Sequence, residues 1–167
     1  DHRVVIDNST LAGNFAAGEL VGSAGANTVF DYEALTVTSN SGETMLEVGS
    51  GTASLRNSVI FANAGALAFE ISNGGTFLSG GGNYAQDASC DGVAQVLDPL
   101  LGPLALNGGS TLNRLPLAGS LLINTGVAPV LNPVFDQRGQ QRVRFGAVDI
   151  GSVESDLQLV FASSFEA

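Results

Sequence analysis

Thr44-Met45-Leu46-Glu47-Val48-Gly49-Ser50-Gly51 begins a stretch that repeats itself: Leu46-Glu47-Val48 returns as Phe69-Glu70-Ile71, and Leu55 returns as Leu78, each 23 residues later. Asn8-Ser9 returns as Asn57-Ser58 after 49 residues, about two such periods. With Ile6 matched to Leu55, Leu35-Thr36-Val37-Thr38 falls between them as a further copy. A period in the low twenties is one coil of a parallel β-helix, in which three short strands and three turns complete a rung. The segments have the right chemistry for it. Val4-Val5-Ile6, Leu35-Thr36-Val37, Met45-Leu46-Glu47-Val48, Val59-Ile60-Phe61 and Leu67-Ala68-Phe69-Glu70-Ile71 are short and rich in β-formers. Several alternate apolar with polar residues, which turns one face inward.

Between these segments lie Asn, Ser and Gly clusters, residues that tolerate positive φ in tight corners. Asn14, Asn40, Asn63, Asn73 and Asn83 all fall in such corners, where stacked amides can bond along the helix axis. Two places, Phe15-Ala16-Ala17-Gly18-Glu19-Leu20 and the stretch around residues 92–97, are candidates for a single helical turn. From Gly80 the repeat gives way to a less regular, proline-punctuated text. The sequence therefore predicts an all-β chain: β-helix coils over 1–85, an irregular C-terminal cap packed on them over 86–154, and a tail strand over 155–167. A coil that begins at residue 1 without a cap exposes strand edges and apolar interior. That predicts further coils before Asp1 or a neighbouring subunit at this end.

Composition narrows the function. The 167 residues suit one domain with a sizeable core. The chain has 22 glycines, sixteen carboxylates, six arginines and no lysine, for a net charge of −10. Such a balance argues against nucleic acid and anionic lipid, both of which need a basic footprint. No apolar run approaches the ~20 residues of a membrane span. Cys90 is the single cysteine, so no internal disulfide is possible, and Asp87 and Asp91 beside it disfavour the thiolate.

Chemistry-bearing patterns are sparse. His2 is the only histidine and sits at the terminus, so a Ser-His-Asp or Cys-His site is not expected. Gly108-Gly109-Ser110-Thr111 lacks the lysine of a phosphate loop and reads as a turn. Asp87, Asp91 and Asp98 are the oxygen donors a calcium ion would draw on, with a solvated acidic loop the preferred reading. Asp7-Asn8 resembles a pectate-lyase strand, with Arg56 beside the equivalent Asn57, and is equally an ordinary β-helix corner. The Asp-Asp, Gly-His-Gly and Arg-Ile-Lys motifs of polygalacturonase-like enzymes are absent. Arg138, Arg142 and Arg144 stand close in sequence to Asp136, Asp149 and Glu154. Arginine forks pair well with carboxylates, so these are expected to staple the closing turns.

One ordered set of motifs carries a family resemblance. Gly82-Asn83-Tyr84 is followed by Asp98-Pro99-Leu100-Leu101-Gly102-Pro103-Leu104 and Asn107-Gly108-Gly109-Ser110-Thr111. Then come Gly119-Ser120-Leu121-Leu122-Ile123-Asn124-Thr125-Gly126, Asp136-Gln137-Arg138-Gly139 and Asp149-Ile150-Gly151-Ser152-Val153-Glu154. This set resembles the closing segment of bacterial secreted β-helix proteins of the choice-of-anchor Q domain family. Leu106, Ser110, Asn124 and Val148 depart from the family's usual Asp, Pro, Asp and Cys. The last departure leaves Cys90 no partner at the DIG turn. Leu157-Gln158-Leu159-Val160-Phe161 with Phe165-Glu166-Ala167 is similar to the Phe-Glu tails of secreted proteins of related bacteria. Such a tail is a sorting signal or, as preferred here, one more apolar strand.

The resemblance implies a right-handed parallel β-helix, an extracellular or cell-surface location and a non-catalytic, structural or adhesin-like role without a cofactor. Its partners would be a glycan or cell surface. Asn107, Gly108, Gly109, Asp136, Gln137, Arg138, Gly139, Asp149, Ile150, Gly151 and Glu154 are its structural motif. A self-assembling filament subunit and a polysaccharide-binding or polysaccharide-cleaving fragment are the alternatives.

Overall fold

A computed structural model describes residues 2–131 and 134–157. Among the described residues ten strands occur in chain order: β1 (His2–Ala12), β2 (Glu19–Ser23), β3 (Thr28–Thr38), β4 (Ser41–Val48), β5 (Thr52–Arg56), β6 (Val59–Phe61), β7 (Ala64–Ile71), β8 (Thr76–Ser79), β9 (Tyr84–Ala85) and β10 (Ala94–Gln95). Every pairing between them is parallel. They stack as a right-handed β-helix of about three turns.

Three faces result. The first is the run 2–7, 28–33, β5 and β8, and the second is 9–12, 35–38, β6, β9 and β10. The third is β2, β4 and β7. The first two faces are joined through a stacked corner of Asn8, Ala34 and Asn57, whose φ values are 42°, 58° and 50°. A left-handed residue shifts the in-out alternation by one. Hence Phe30 and Tyr32 point inward before Ala34, and Leu35 and Val37 point inward after it. The second corner stacks Gly13, Ser39 and Ala62 at φ 71°, 57° and 56°.

Inside the coil lie Phe30, Tyr32, Leu35, Val37, Met45, Leu46, Val48, Leu55, Ile60 and Phe69. Burying each large side chain contributes about 1.5–3 kcal/mol. Phe69 and Phe77 pack tilted with centroids 4.9 Å apart. Tyr32 keeps its hydroxyl within the coil against Ser23 Oγ at 2.5 Å, and burial raises its pKa despite that bond.

The predicted amide stacking is present just beyond the second corner. Asn14 N–H and Nδ2 both donate to Asn40 Oδ1 at 3.0 Å. Asn40 N–H and Nδ2 donate to Asn63 Oδ1 at 3.0 and 2.9 Å. Asn63 N–H donates to Gln86 Oε1 at 2.9 Å. The steps are 26, 23 and 23 residues, so Gln86 is a fourth member that its residue type concealed. Asn83 belongs to a separate chain at the first corner. There Leu35 N–H donates to Ser58 Oγ and Ser58 N–H to Asn83 Oδ1. Asn73 joins neither ladder among the described residues and donates to its neighbour Ser72.

Leu46, Glu47 and Val48 stand in register with Phe69, Glu70 and Ile71, as the repeat predicts. Leu55 does not pair with Leu78. It faces Ser79, because the turn Ser72-Asn73-Gly74-Gly75 is one residue longer than Gly49-Ser50-Gly51 and slips β8 by one. Between Ile6 and Leu55 stands Tyr32, while the run 35–38 lies between 9–12 and β6. Neither candidate helical turn forms: Glu19 opens β2, and Ala94–Gln95 is β10, held on Tyr84 and Ala85. Coil stacking therefore runs past residue 85.

The end of the coil is covered by residues 87–93. Asp87 Oδ2 and Ser89 Oγ accept the outer N–H groups of Ala68 and Phe69 on β7, which closes an edge that would otherwise invite another strand. Residues 98–131 and 134–157 form a strap with no long strand among the described residues, held by isolated bridges such as Leu101–Pro116 and Ala105–Asn113. It lies along the side of the coil and is not an end cap. Val59 on the outside of β6 packs against Leu122 and Ile150. Of the expected tail strand, residues 155–157 carry no strand and 158–167 lie outside the described residues.

Asn40 is buried and bonded on both sides of its rung. Asn40→Ala is expected to cost about 2–3 kcal/mol in urea unfolding, because buried donors and acceptors lose their partners. Asn14→Ala, at the exposed end of the same ladder, should cost less than about 1 kcal/mol. Equal costs would show that the ladder does not hold the rungs.

Candidate functional site

The motif residues chosen from the sequence come together. The turn Asp136-Gln137-Arg138-Gly139 is organised by Asp136, whose Oδ1 accepts the N–H groups of Arg138 (2.8 Å) and Gln140 (2.9 Å). Its Oδ2 accepts Arg138 Nε and Nη2 at 3.0 and 2.9 Å and Glu154 N–H at 2.9 Å. Arg138 then reaches outward from this anchor, donating through Nη1 to Asn107 O (3.1 Å) and through Nη2 to Glu154 O. Gly109 lies flat on Arg138, where a Cβ would come within 3.2 Å of its backbone. Gln137 accepts from Thr10 Oγ1 on β1 and donates to Thr111 Oγ1. One turn thereby ties together Asn107-Gly108-Gly109-Ser110-Thr111, the C-terminal turn and the first rung.

The turn Asp149-Ile150-Gly151-Ser152-Val153-Glu154 closes on itself. Asp149 N–H donates to Glu154 Oε1 at 2.7 Å, and Ser155 N–H donates to Asp149 Oδ2 at 2.6 Å. Asp149 Oδ1 holds Asn124 N–H at 2.7 Å. Gly151 has φ 107°, and a Cβ there would lie 2.8 Å from Thr36 Oγ1. Only glycine suits a left-handed residue pressed this close to a strand. Its neighbour Ser152 bonds Thr36 and Thr10 on the second face.

Arg142 lies between these turns at 1% exposure. Its Nη2 donates to Gly151 O (2.6 Å) and Asp149 O (3.3 Å), and its Nη1 lies 3.4 Å from Glu154 Oε1. Burial lowers the Arg142 pKa, against the pull of Glu154, Asp136, Asp149 and Glu33. Burial also pushes the Glu154 carboxyl up to about 8, opposed by Arg142 and assisted by Asp149 and Asp136. The expected stapling of arginines to carboxylates is therefore found, with one change of partner. Arg144 pairs with Asp156 at the surface instead of Asp149 or Glu154.

Two residues of the first corner, Asn8 and Asn57, and Glu33 just before it, one per rung, attach the strap. Asn57 exchanges bonds with Val127, receiving its N–H at 2.8 Å and donating to its carbonyl at 2.9 Å. Buried Glu33 accepts Val130 N–H at 3.1 Å and Leu131 N–H at 2.7 Å. Asn8 donates to Phe135 O at 3.0 Å. Glu33 was not singled out from the sequence, and the only available signal was an outward carboxylate beside a corner. Asn8 and Asn57 serve as corner residues, and Arg56 reaches Ala128 O at 3.3 Å.

The calcium candidates are not gathered. Asp87 caps β7 and Ser89, Asp98 Oδ1 takes Leu100 N–H, and the Asp91 carbonyl faces Cys90 Sγ. Among the described residues no group of three His, Cys, Asp or Glu side chains has the arrangement of a metal site. Cys90 is buried against the core, and burial followed by Asp91 raises its thiol to about 11. Among the described residues no helix is long and apolar enough to cross a membrane. Comparison with protein-family models, with curated proteins and with solved structures gives no match.

Chemically, the motif cluster is a closed knot whose charged groups face backbone and one another. Arg142→Ala is expected to destabilise the protein by about 3–5 kcal/mol in denaturant unfolding, since it strands buried carboxyl and carbonyl groups. Arg144→Ala, at an exposed pair, should change stability by less than about 1 kcal/mol. Cys90 should alkylate at pH 8 at least about 100-fold more slowly than a free cysteine peptide. Comparable rates would mean that the thiol is not held in the core.

Proposed function

We propose that this chain is a non-catalytic structural or adhesin-like β-helix module of a bacterial secreted or surface protein, related to the choice-of-anchor Q domain family. The observation that carries this reading is the use of the motif. Asp136, Arg142, Asp149 and Glu154 are buried, Arg138 is half-buried, and all five are engaged with backbone groups and each other. Residues held in this way brace a rod and do not meet a substrate. The net charge of −10 suits a soluble extracellular surface, and the partner would be a glycan or a cell surface.

A second reading, a self-assembling subunit, is favoured by the outer edge of β1. That strand pairs only with β3 among the described residues, and its Val4 and Val5 are exposed. Head-to-tail growth needs two open ends. The opposite end is covered where Asp87 and Ser89 bond β7, so the structural module is the better supported of the two.

The test is to incubate the purified chain with a panel of neutral and acidic polysaccharides and with bacterial cells. Retention on a glycan or cell surface without release of reducing or unsaturated sugar ends is the expected result. Sugar release that disappears in Glu47→Gln or Glu19→Gln, carboxylates of the groove beside Ser23 and Ser50, would replace this reading with a carbohydrate-active one. Light scattering of the same sample should give a particle of 16.9 kDa. Elongated assemblies would favour the filament.

A further inference from the structure

Four buried carboxyl groups, Glu33, Asp136, Asp149 and Glu154, lie about two guanidinium groups, buried Arg142 and half-buried Arg138. If every group were ionised, two negative charges would lack a positive counterpart, an arrangement that burial strongly disfavours. Counting donors shows where a proton reduces the imbalance at least cost. Asp136 receives five donors, from Arg138 N, Nε and Nη2, Gln140 N and Glu154 N. Asp149 receives a backbone N–H on each oxygen, as does Glu33. Glu154 receives one backbone N–H on Oε1, while its Oε2 is buried with no hydrogen-bond partner, as is Arg142 Nη1.

We propose that Glu154 is a proton-operated latch, which locks the strap against the rungs while it carries a proton and loosens the turn 149–155 once it ionises. The groups that face it are Arg142 from the stretch after the Asp136 turn, Asp149 from its own turn, and Asp136 and Arg138 from the preceding turn, while Glu33 from β3 acts on its partner Arg142. The carboxyl is the closing link of its turn through Asp149 N–H, so a change in its charge acts directly on the backbone there. The strap joins the coil through side-chain bonds and the backbone bond from Gly151 N–H to Asn57 O, whereas the rungs share continuous ladders. A segment held this way opens at lower free energy than the ladders do.

The sign of the pH dependence follows from the direction of the shift. The folded carboxyl titrates near 8 against an ordinary 4.5. Stability from this group is therefore complete below the ordinary value and is lost as pH rises towards about 8.

The experiment is a carboxyl-¹³C glutamate titration by NMR on the whole chain, with amide hydrogen exchange at each pH. One glutamate resonance, missing from Glu154→Gln, should titrate well above the exposed glutamates. Between about pH 6 and about pH 9.5, protection at Asn124, Asp149 and Ser155 should fall at least about tenfold while Leu35 and Leu55 hold theirs. Glu154→Gln, a neutral stand-in for the protonated acid, should keep the strap protected across the range. Titration of Glu154 with the exposed carboxylates, or a loss shared equally by strap and rungs, would overturn the latch. Should the variant fail to fold, site-specific assignment of the wild-type resonance and the wild-type exchange pattern decide the matter alone.

Discussion

Each parallel rung must turn twice between the first and third faces without leaving a backbone donor or acceptor unpaired in a water-poor interior. Strand ladders satisfy the faces, but at a corner the chain bends out of the ladder and its N–H groups lose their regular partners. Side-chain amides and hydroxyls take over at those points. Asn40 and Asn63 accept the backbone N–H of the rung before and donate back to the carbonyls of Leu11 and Val37. At the other corner Ser58 and Asn83 likewise accept N–H groups of the rung before, and Asn83 donates back to the Leu55 carbonyl while Ser58 donates to Arg56 O of its own rung. These positions fix where each rung bends, and so which residues face the core.

The strap follows from the same constraint on the outside. Thr36, Thr38 and Val59 point away from the core and are nonetheless buried, because the strap covers the second face. Its irregular backbone cannot satisfy itself through a ladder. Carboxylates and arginines at fixed places collect its N–H and carbonyl groups, and glycines allow the close approach at Arg138 and Thr36. Asn8, Glu33 and Asn57, one per rung, extend the attachment along the axis. The result is a short rod braced laterally, with its ionic groups inside.

The sequence revealed the rung where its spacing was uniform. Leu46-Glu47-Val48 and Phe69-Glu70-Ile71 are of equal length and separated by one period, so their pairing could be read directly. It could not reveal the slip at β8, since a single added turn residue changes register without changing residue type. Glu19–Ser23 was missed as a strand because Gly22 and Glu19 mask a short β pattern, and Gln86 was missed although it lies one period after Asn63. For the site, the pairing of arginines with carboxylates was visible from proximity. The role of Glu33 was not, because its partners lie 97 and 98 residues away.

The 23-residue rung register is the central claim, and a cross-rung disulfide tests it most directly. Glu47 and Glu70 are register neighbours on the outside of the third face. Adjacent strands lie about 4.8 Å apart, inside the Cα range a disulfide accepts. In a Cys90→Ser background, Glu47→Cys with Glu70→Cys is predicted to oxidise within the monomer and to raise stability by about 3 kcal/mol. Failure to form an intramolecular bond under oxidising conditions, or equally ready bonding between Glu47→Cys and Ser79→Cys, would contradict the register and the β-helix built on it.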